Sequence, residues 1–171
     1  MNRSAYKPDA LLLITAGIWG LAFVAQRVGM QHVEPFIFNG VRFALGALTL
    51  VPVMMLRIPS ARPDMPPKPA SVMKGSLAAG LALFLGVSLQ QVGIVTTTAG
   101  KAGFITGLYV VLVPILSLIW GQHVRRGTWI GALCALTGLY LLSIKAGFSI
   151  ARGDFLVLLS AFCWAAHVHI I

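Results

Sequence analysis

Residues 102–120, AGFITGLYVVLVPILSLIW, form a run of apolar and small polar residues without a single charged side chain. A helix of about 20 such residues crosses the roughly 30 Å hydrocarbon layer of a bilayer, because each residue rises 1.5 Å. Inside that layer every backbone N–H and C=O group needs a partner within the protein, which favours helices. This stretch therefore predicts a transmembrane α-helix.

Five further apolar runs on either side of this stretch have a similar length. Of the 171 residues, 58% are hydrophobic and only 10% are charged, whereas a soluble domain carries about 25% charged residues. So few charges cannot cover a globular surface, and most of the chain is expected to face lipid or other helices. The sequence predicts an all-α integral membrane protein, a polytopic bundle of six transmembrane helices. Its other five spans are residues 10–26, 36–56, 75–95, 127–144 and 155–171.

The formal net charge of +9 is explained by topology, since lysine and arginine mark the cytoplasmic side of membrane proteins. With alternating spans, eight basic residues lie on the side of the N-terminus and four on the other, with Arg42 inside a span. The N-terminus is therefore expected in the cytoplasm. The eight are Arg3, Lys7, Arg57, Arg62, Lys68, Lys74, Arg125 and Arg126; the four are Arg27, Lys101, Lys145 and Arg152.

Other function classes find no support in the sequence. The basic residues form no dense cluster and no base-stacking platform accompanies them, so nucleic acid is not an expected partner. No nucleophile–base set or phosphate-binding loop is present, which argues against an enzyme and against a cofactor. Cys134 and Cys163 lie far apart without metal-ligand spacing. His167 and His169, two residues apart on a helix, point about 200° apart, so no metal site is expected.

An internal repeat relates the two ends of the chain. With an offset of 145 residues, Asp9 aligns with Asp154 and Trp19 with Trp164. Five helices separate the copies, and an odd number inverts the second copy in the membrane, as in many secondary transporters. Residues 1–145 are then one five-helix repeat, and residues 146–171 are a linker and the first helix of a second, incomplete repeat. The alternative is a coincidence of two interfacial anchors.

Three segments together carry a family resemblance: residues 11–29 (LLLITAGIWGLAFVAQRVG), 34–48 (EPFIFNGVRFALGAL) and 96–116 (TTTAGKAGFITGLYVVLVPIL). They resemble the EamA-like family of the drug/metabolite transporter superfamily. The resemblance implies ten helices in two inverted five-helix repeats, and a permease, often an exporter, of amino acids or other small metabolites. It also implies the bacterial inner membrane. This chain corresponds to little more than half of such a protein, which points to a truncated architecture.

Polar residues of the first span share one helix face. Thr15, Trp19 and Gln26 are separated by four and seven residues, close to whole helical turns. A polar stripe on an apolar helix is expected to face the bundle interior, where Trp19 and its repeat partner Trp164 face each other near a pseudo-two-fold axis. Ordinary helix packing is the alternative for each tryptophan.

The second and third spans add three candidates for a transport path. Arg42 is an ionisable residue inside a span, which is a functional hypothesis by default; it either faces a watery cavity or binds carbonyl groups of a neighbouring helix. Gln90 and Gln91 point about 100° apart on a helix. At most one of them is expected to face a cavity, and the other is expected to bond across helices.

The fourth span supplies the remaining candidates. Lys101 lies at its start between Gly100 and Gly103; it is either an interfacial lysine that reaches toward water or part of an anion site at a helix N-terminus. The resemblance implies that residues of the fourth helix line the cavity, which adds Thr106 and Tyr109.

Glycine pairs with three residues between them let helices approach closely in membranes. Gly103 with Gly107, and Gly127 with Gly131, have this spacing and are expected at helix contacts. Pro114 is expected to kink the fourth span.

Two functions follow from these observations. The first is a membrane permease, a secondary transporter that exports a small metabolite such as an amino acid or related compound. The alternative is a non-transporting membrane scaffold, an interaction subunit or a truncated remnant of a permease. The expected partners are the lipid bilayer, a small-molecule substrate, and a second half or a homodimer partner.

Overall fold

The computed structural model describes residues 6–56, 69–143 and 151–171 of the chain. Within these ranges the protein is all-helical and contains no strand. Two consecutive helices, α4 and α5, are the halves of one broken span over Ala99–Ile119, so the helices match the six predicted spans. The helices are α1 (Tyr6–Gly29), α2 (Pro35–Met55), α3 (Pro69–Ile94), α4 (Ala99–Gly107), α5 (Tyr109–Ile119), α6 (Arg126–Ser143) and α7 (Arg152–Ile170).

The prediction of an all-α membrane protein is confirmed. Five helices are long and apolar enough to cross a membrane, namely α1, α2, α3, the broken α4–α5 helix and α7. The predicted span of residues 127–144 forms α6, an 18-residue helix that is not among these five. Most large apolar side chains of α1 and α2 are exposed, which is the arrangement expected for surfaces that face lipid or further helices.

Local sequence explains where several helices begin and break. Pro35 opens α2, where its missing N–H costs nothing. The Thr98 hydroxyl caps α4 by accepting a hydrogen bond from the Lys101 N–H, at 3.2 Å. The fourth span breaks at Leu108, six residues before Pro114, which lies inside α5. Broken helices are tolerated at membrane depth where the freed backbone groups find other partners.

The α3–α7 pair forms the centre of the bundle. A Cβ atom on Gly93 of α3 would lie 2.7 Å from the Gly153 carbonyl oxygen at the start of α7, so only glycine permits this close approach. Next to the crossing, Ile94 and Val157 are fully buried together with Ala102 of α4. The core therefore lies where the end of α3 meets the beginnings of α4 and α7.

The remaining helices surround this pair. Helix α1 packs on α3 and α4, α2 packs on α3, and α6 packs on the broken α4–α5 helix. Of the glycines predicted at contacts, Gly103 faces the Phe23 ring of α1, and a Cβ on Gly103 would lie 3.7 Å from the nearest ring carbon. Gly127 and Gly131 of α6 have open space around them within the described part of the chain.

Candidate functional site

A cavity of about 340 Å³ lies between α1, α2, α3, α4 and α7. Six of the ten residues predicted for a transport path line it, although they come from five different helices and span most of the chain. The side chains of Phe23, Phe43 and Val87 form apolar parts of the cavity wall. The six predicted residues are Trp19, Gln26, Arg42, Gln90, Thr106 and Trp164.

The two tryptophans of the internal repeat face each other across this cavity. The ring centroids of Trp19 and Trp164 lie 6.1 Å apart, with the ring planes tilted by 54°, within the range of favourable aromatic pairs. The predicted contact between residues 145 positions apart is thereby confirmed. It connects α1 with α7, the two helices that the offset of 145 residues aligns.

Arg42 supplies the cationic group of the cavity. Its Nη2 donates a hydrogen bond to the Asn39 side-chain oxygen at 2.9 Å, and the Asn39 amide in turn donates to the Val87 carbonyl of α3 at 3.3 Å. The guanidinium carbon lies 5.0 Å from the centre of the Phe43 ring and 5.7 Å from that of Phe38. Arg42 therefore lines the cavity, as the first alternative predicted. The hydrogen bond described for it lies within α2, not with carbonyl groups of a neighbouring helix.

Of the two adjacent glutamines, only Gln90 lines the cavity, as predicted. Its amide donates to the Thr106 hydroxyl of α4 at 2.9 Å. The other glutamine, Gln91, was expected to bond across helices, and this expectation was wrong. Gln90, which lines the cavity, makes the cross-helix bond instead. Gln91 is fully buried, and its amide has no hydrogen-bond partner among the described residues. The direction of each side chain depends on helix rotation, which spacing does not determine.

Two buried polar atoms of the cavity residues lack partners in the described structure. Gln26 is 94% buried and its amide donates to the Ala22 carbonyl at 3.1 Å, but the side-chain oxygen accepts nothing. The indole N–H of Trp164 is also buried without an acceptor. Leaving buried polar groups unpaired costs free energy, and such groups in a cavity are suited to pairing with a ligand or water.

Besides Gln91, three predicted residues lie outside this cavity. Thr15 is exposed, and its hydroxyl donates to the Leu11 carbonyl of its own helix at 2.8 Å. Tyr109 is half-buried at the first residue of α5. Lys101 is partly buried, and its ammonium nitrogen lies 3.8 Å from the Asp154 carboxylate of α7. The interpretations of Lys101 as an interfacial residue or an anion site both omitted this ion pair.

Asp154 is the residue whose contacts the sequence did not indicate. One carboxylate oxygen accepts a hydrogen bond from the Thr97 hydroxyl. The other accepts from the Ala151 N–H at the start of α7, at 2.9 Å, and faces Lys101. The only sequence signal was its alignment with Asp9. These contacts tie the turn between α3 and α4 to the start of α7.

The two neighbouring histidines of α7 contact different helices. A ring nitrogen of His167 lies 2.9 Å from the Ala79 carbonyl of α3, whereas His169 has its Nε2 2.9 Å from the Ser117 hydroxyl of α5. They point apart, as their spacing predicts, and each connects α7 to a neighbour near its C-terminal end.

Comparisons with known proteins identify a family and several related transporters. Residues 7–144 match the model of the EamA-like transporter family. An uncharacterized transporter of Archaeoglobus fulgidus is 35% identical over 95% of this chain and 48% of its own length. The uncharacterized transporter YoaV of Bacillus subtilis is 25% identical over 86% of this chain and 51% of its own.

A third relative has a more specific name. The chain is 24% identical to a probable amino-acid metabolite efflux pump of Salmonella typhimurium, over 93% of this chain and 51% of the pump. The chain thus spans about half the length of the curated relatives it matches. No solved structure matches it significantly. Six apolar helical segments, a cavity lined by residues from five helices, and the match over residues 7–144 lead to one assignment: the chain belongs to the EamA-like transporter family.

Proposed function

We propose that this protein is a permease that exports a small metabolite, such as an amino acid or a related compound, and that it is not an enzyme. The cavity between α1, α2, α3, α4 and α7 carries the proposal. It combines a cation, amides, a hydroxyl and aromatic rings within membrane-spanning helices, and because such intramembrane polar groups are costly, they typically mark a substrate path. The name of the Salmonella relative supports export of an amino-acid metabolite.

The proposal includes the architecture of the transporter. Residues 1–145 form one five-helix repeat, and residues 146–171 provide the linker and first helix of a second repeat. The contact between Trp19 and Trp164 supports this organisation, because inverted repeats meet around a shared axis at the substrate site. A second half or a second copy completes the path. The protein lies in the inner membrane with its N-terminus in the cytoplasm, as the distribution of lysine and arginine favours.

The test compares metabolites in the medium of cells that produce the full-length protein with those of cells that carry an empty vector. We expect at least one small metabolite to accumulate outside the producing cells. Gln26→Leu and Arg42→Ala remove polar groups from the cavity, and each is expected to lower this efflux by about tenfold, the effect of 1.4 kcal/mol on a barrier.

Gln31→Leu is the matched control for Gln26→Leu. Gln31 lies in the exposed turn after α1, outside the cavity, so efflux is expected to stay at the level of the unmodified protein. Protein amount in the membrane is measured for every variant by immunoblot. No difference between producing cells and vector cells would contradict the proposed transport. Unchanged efflux in both cavity variants would remove these residues from the path.

A further inference from the structure

Among the described residues, the cavity contains a cation without an ionic partner. Within this part of the chain, Arg42 donates a side-chain hydrogen bond to the neutral amide of Asn39, and no acidic residue lines the cavity. A guanidinium has five N–H donors in a planar fork, so most of its donors remain for a ligand. The planar fork matches a carboxylate or a phosphate in a two-bond geometry.

Charge balance favours a carboxylate over a phosphate. A phosphate monoester carries close to two negative charges at neutral pH, and Arg42 supplies a single positive one. An uncompensated charge inside a membrane-spanning bundle is strongly unfavourable. A carboxylate is neutralised by one guanidinium, which makes a monoanionic group the better match.

A second recognition point is the side-chain oxygen of Gln26. This residue is 94% buried, lines the same cavity, and its Oε1 has no donor among the described residues. A buried acceptor of this kind selects ligands that bring a hydrogen-bond donor, because ligands without one leave it unpaired. The Trp19 ring lines the same cavity and adds a face that attracts a cationic donor.

Much of the remaining wall is apolar, Gln90 and Thr106 are hydrogen-bonded to each other, and the space is small. Phe23, Phe43 and Val87 line the cavity together with the Trp19 and Trp164 rings, around a volume of about 340 Å³. Apolar surface is buried favourably when an apolar ligand group displaces water from such a wall. The cavity therefore suits a compact apolar group next to the charged end of the ligand.

We infer that this cavity recognises a small carboxylic acid with a hydrogen-bond donor and a compact apolar group, in which Arg42 binds the carboxylate and the Gln26 side-chain oxygen accepts from the donor. The inference rests on the proposed function and specifies which residues distinguish substrates. Arg42 selects for the acid, and Gln26 selects for the amino or hydroxyl group beside it.

This assignment is tested on the full-length protein in lipid nanodiscs with leucine and two analogues, each of which lacks one of its groups. The probes are L-leucine, 4-methylpentanoate, which lacks the amino group, and 3-methylbutylamine, which lacks the carboxylate. Binding of radiolabelled leucine and its competition by the other two are measured at equilibrium. We expect leucine to bind best, 4-methylpentanoate to compete more weakly, and 3-methylbutylamine to compete least.

The variants separate the two recognition points. Arg42→Gln is expected to weaken leucine and 4-methylpentanoate by about tenfold or more while leaving 3-methylbutylamine unchanged. Gln26→Leu is expected to weaken leucine but not 4-methylpentanoate, which has no donor to lose. Arg27→Gln is the matched control, since Arg27 lies outside the cavity and donates to the Val95 carbonyl at 2.8 Å; all three affinities are expected to stay the same.

Two results would overturn the inference. The first is equal competition by 3-methylbutylamine and 4-methylpentanoate in the unmodified protein, and the second is binding of none of the probes. Both results are measured on the unmodified protein, so they test the inference even if the Arg42→Gln variant does not fold. Cellular efflux of a compound without a carboxylate, together with either result, would leave the proposed export intact and refute only this recognition scheme.

Discussion

Asp154 shows how one side chain can join three parts of the bundle. Its two carboxylate oxygens accept hydrogen bonds from the Thr97 hydroxyl and the Ala151 N–H, and the Lys101 ammonium lies 3.8 Å away. Asp154 is only 9% exposed, so a loss of these partners is not repaired by water. At the first turn of α7 its negative charge also interacts favourably with the helix dipole.

We expect Asp154→Ala to lower the free energy of unfolding by about 1–3 kcal/mol, the range for lost helix caps and for partners left unsatisfied. The Thr97 hydroxyl loses its acceptor and Lys101 loses this ion pair at the same time as α7 loses its cap. Thermal unfolding of the purified protein in detergent measures the change. Asp154→Asn is expected to retain part of the stability, because its side-chain oxygen still accepts one hydrogen bond.

Glu34 provides the matched control for this prediction. It is an exposed carboxylate at the N-cap of α2, and its side chain makes no capping hydrogen bond. Glu34→Ala is therefore expected to shift the unfolding free energy by less than about 0.5 kcal/mol. Equal losses in Glu34→Ala and Asp154→Ala would show that the Asp154 contacts contribute nothing specific.

At the scale of helices, the crossing of α3 and α7 depends on two glycines that approach backbone to backbone. A Cβ on Gly93 would lie 2.7 Å from the Gly153 carbonyl oxygen and equally close to Val157, while a Cβ on Gly153 would overlap the Gly93 carbonyl. The obstacle is backbone, which cannot rotate away as a flexible side chain does. Either alanine must push the helices apart and open the core around Ile94.

We expect Gly93→Ala and Gly153→Ala each to destabilise the protein by about 1–3 kcal/mol, as overpacking typically does. The displaced α7 also moves Trp164 away from Trp19, so transport is expected to fall in both variants. Unfolding free energy and efflux are measured together on each variant.

Gly75 is the control on the same helix, because a Cβ there has open space among the described residues. Gly75→Ala is expected to be neutral or slightly stabilising, since alanine has the higher helix propensity. Destabilisation of Gly75→Ala to the same extent as Gly93→Ala would indicate a general intolerance of α3 to alanine instead of a specific crossing.

For the whole molecule, the distribution of exposed apolar side chains and of basic residues defines its relation to the membrane. The large apolar side chains of α1 and α2 are mostly exposed, whereas the buried positions lie near the α3–α7 crossing. The turns after α1 and α3 lie at one end of the bundle, where Arg27 donates to the Val95 carbonyl. The end of α5 lies at the opposite end, next to the C-terminal end of α7. The excess of lysine and arginine favours a cytoplasmic N-terminus.

This orientation predicts opposite accessibility for two exposed glutamines. Gln31 follows α1 and belongs outside, whereas Gln122 follows α5 and belongs in the cytoplasm. In a Cys134→Ala, Cys163→Ala background, we expect Gln31→Cys to react with a membrane-impermeant maleimide in intact cells. Gln122→Cys is expected to react only after the membrane is permeabilised. The reverse pattern would show that the N-terminus lies outside the cell. Reaction of both cysteines in intact cells would contradict the odd number of spans between the two positions.

The helices themselves were predictable from the sequence because their causes are local. The length of each apolar run and the need to satisfy the backbone within the bilayer determine a helix without reference to any distant residue. The start of α2 at Pro35 has the same local origin. The contact of Trp19 with Trp164 was predicted as well, from the hypothesis that the two positions are equivalent in an inverted repeat with a shared axis.

What lines the cavity was decided only by the tertiary structure. Spacing placed Thr15 on the same face as Gln26, yet Thr15 lies outside the cavity and Gln26 lines it. Periodicity determines which residues share a helix face, but the position and rotation of that helix depend on crossings between distant residues, here Gly93 with Gly153. The sequence alone therefore determined the membrane-spanning helices and their family. The crossings determined the cavity and the partners of Asp154, because both depend on contacts between residues far apart in the chain.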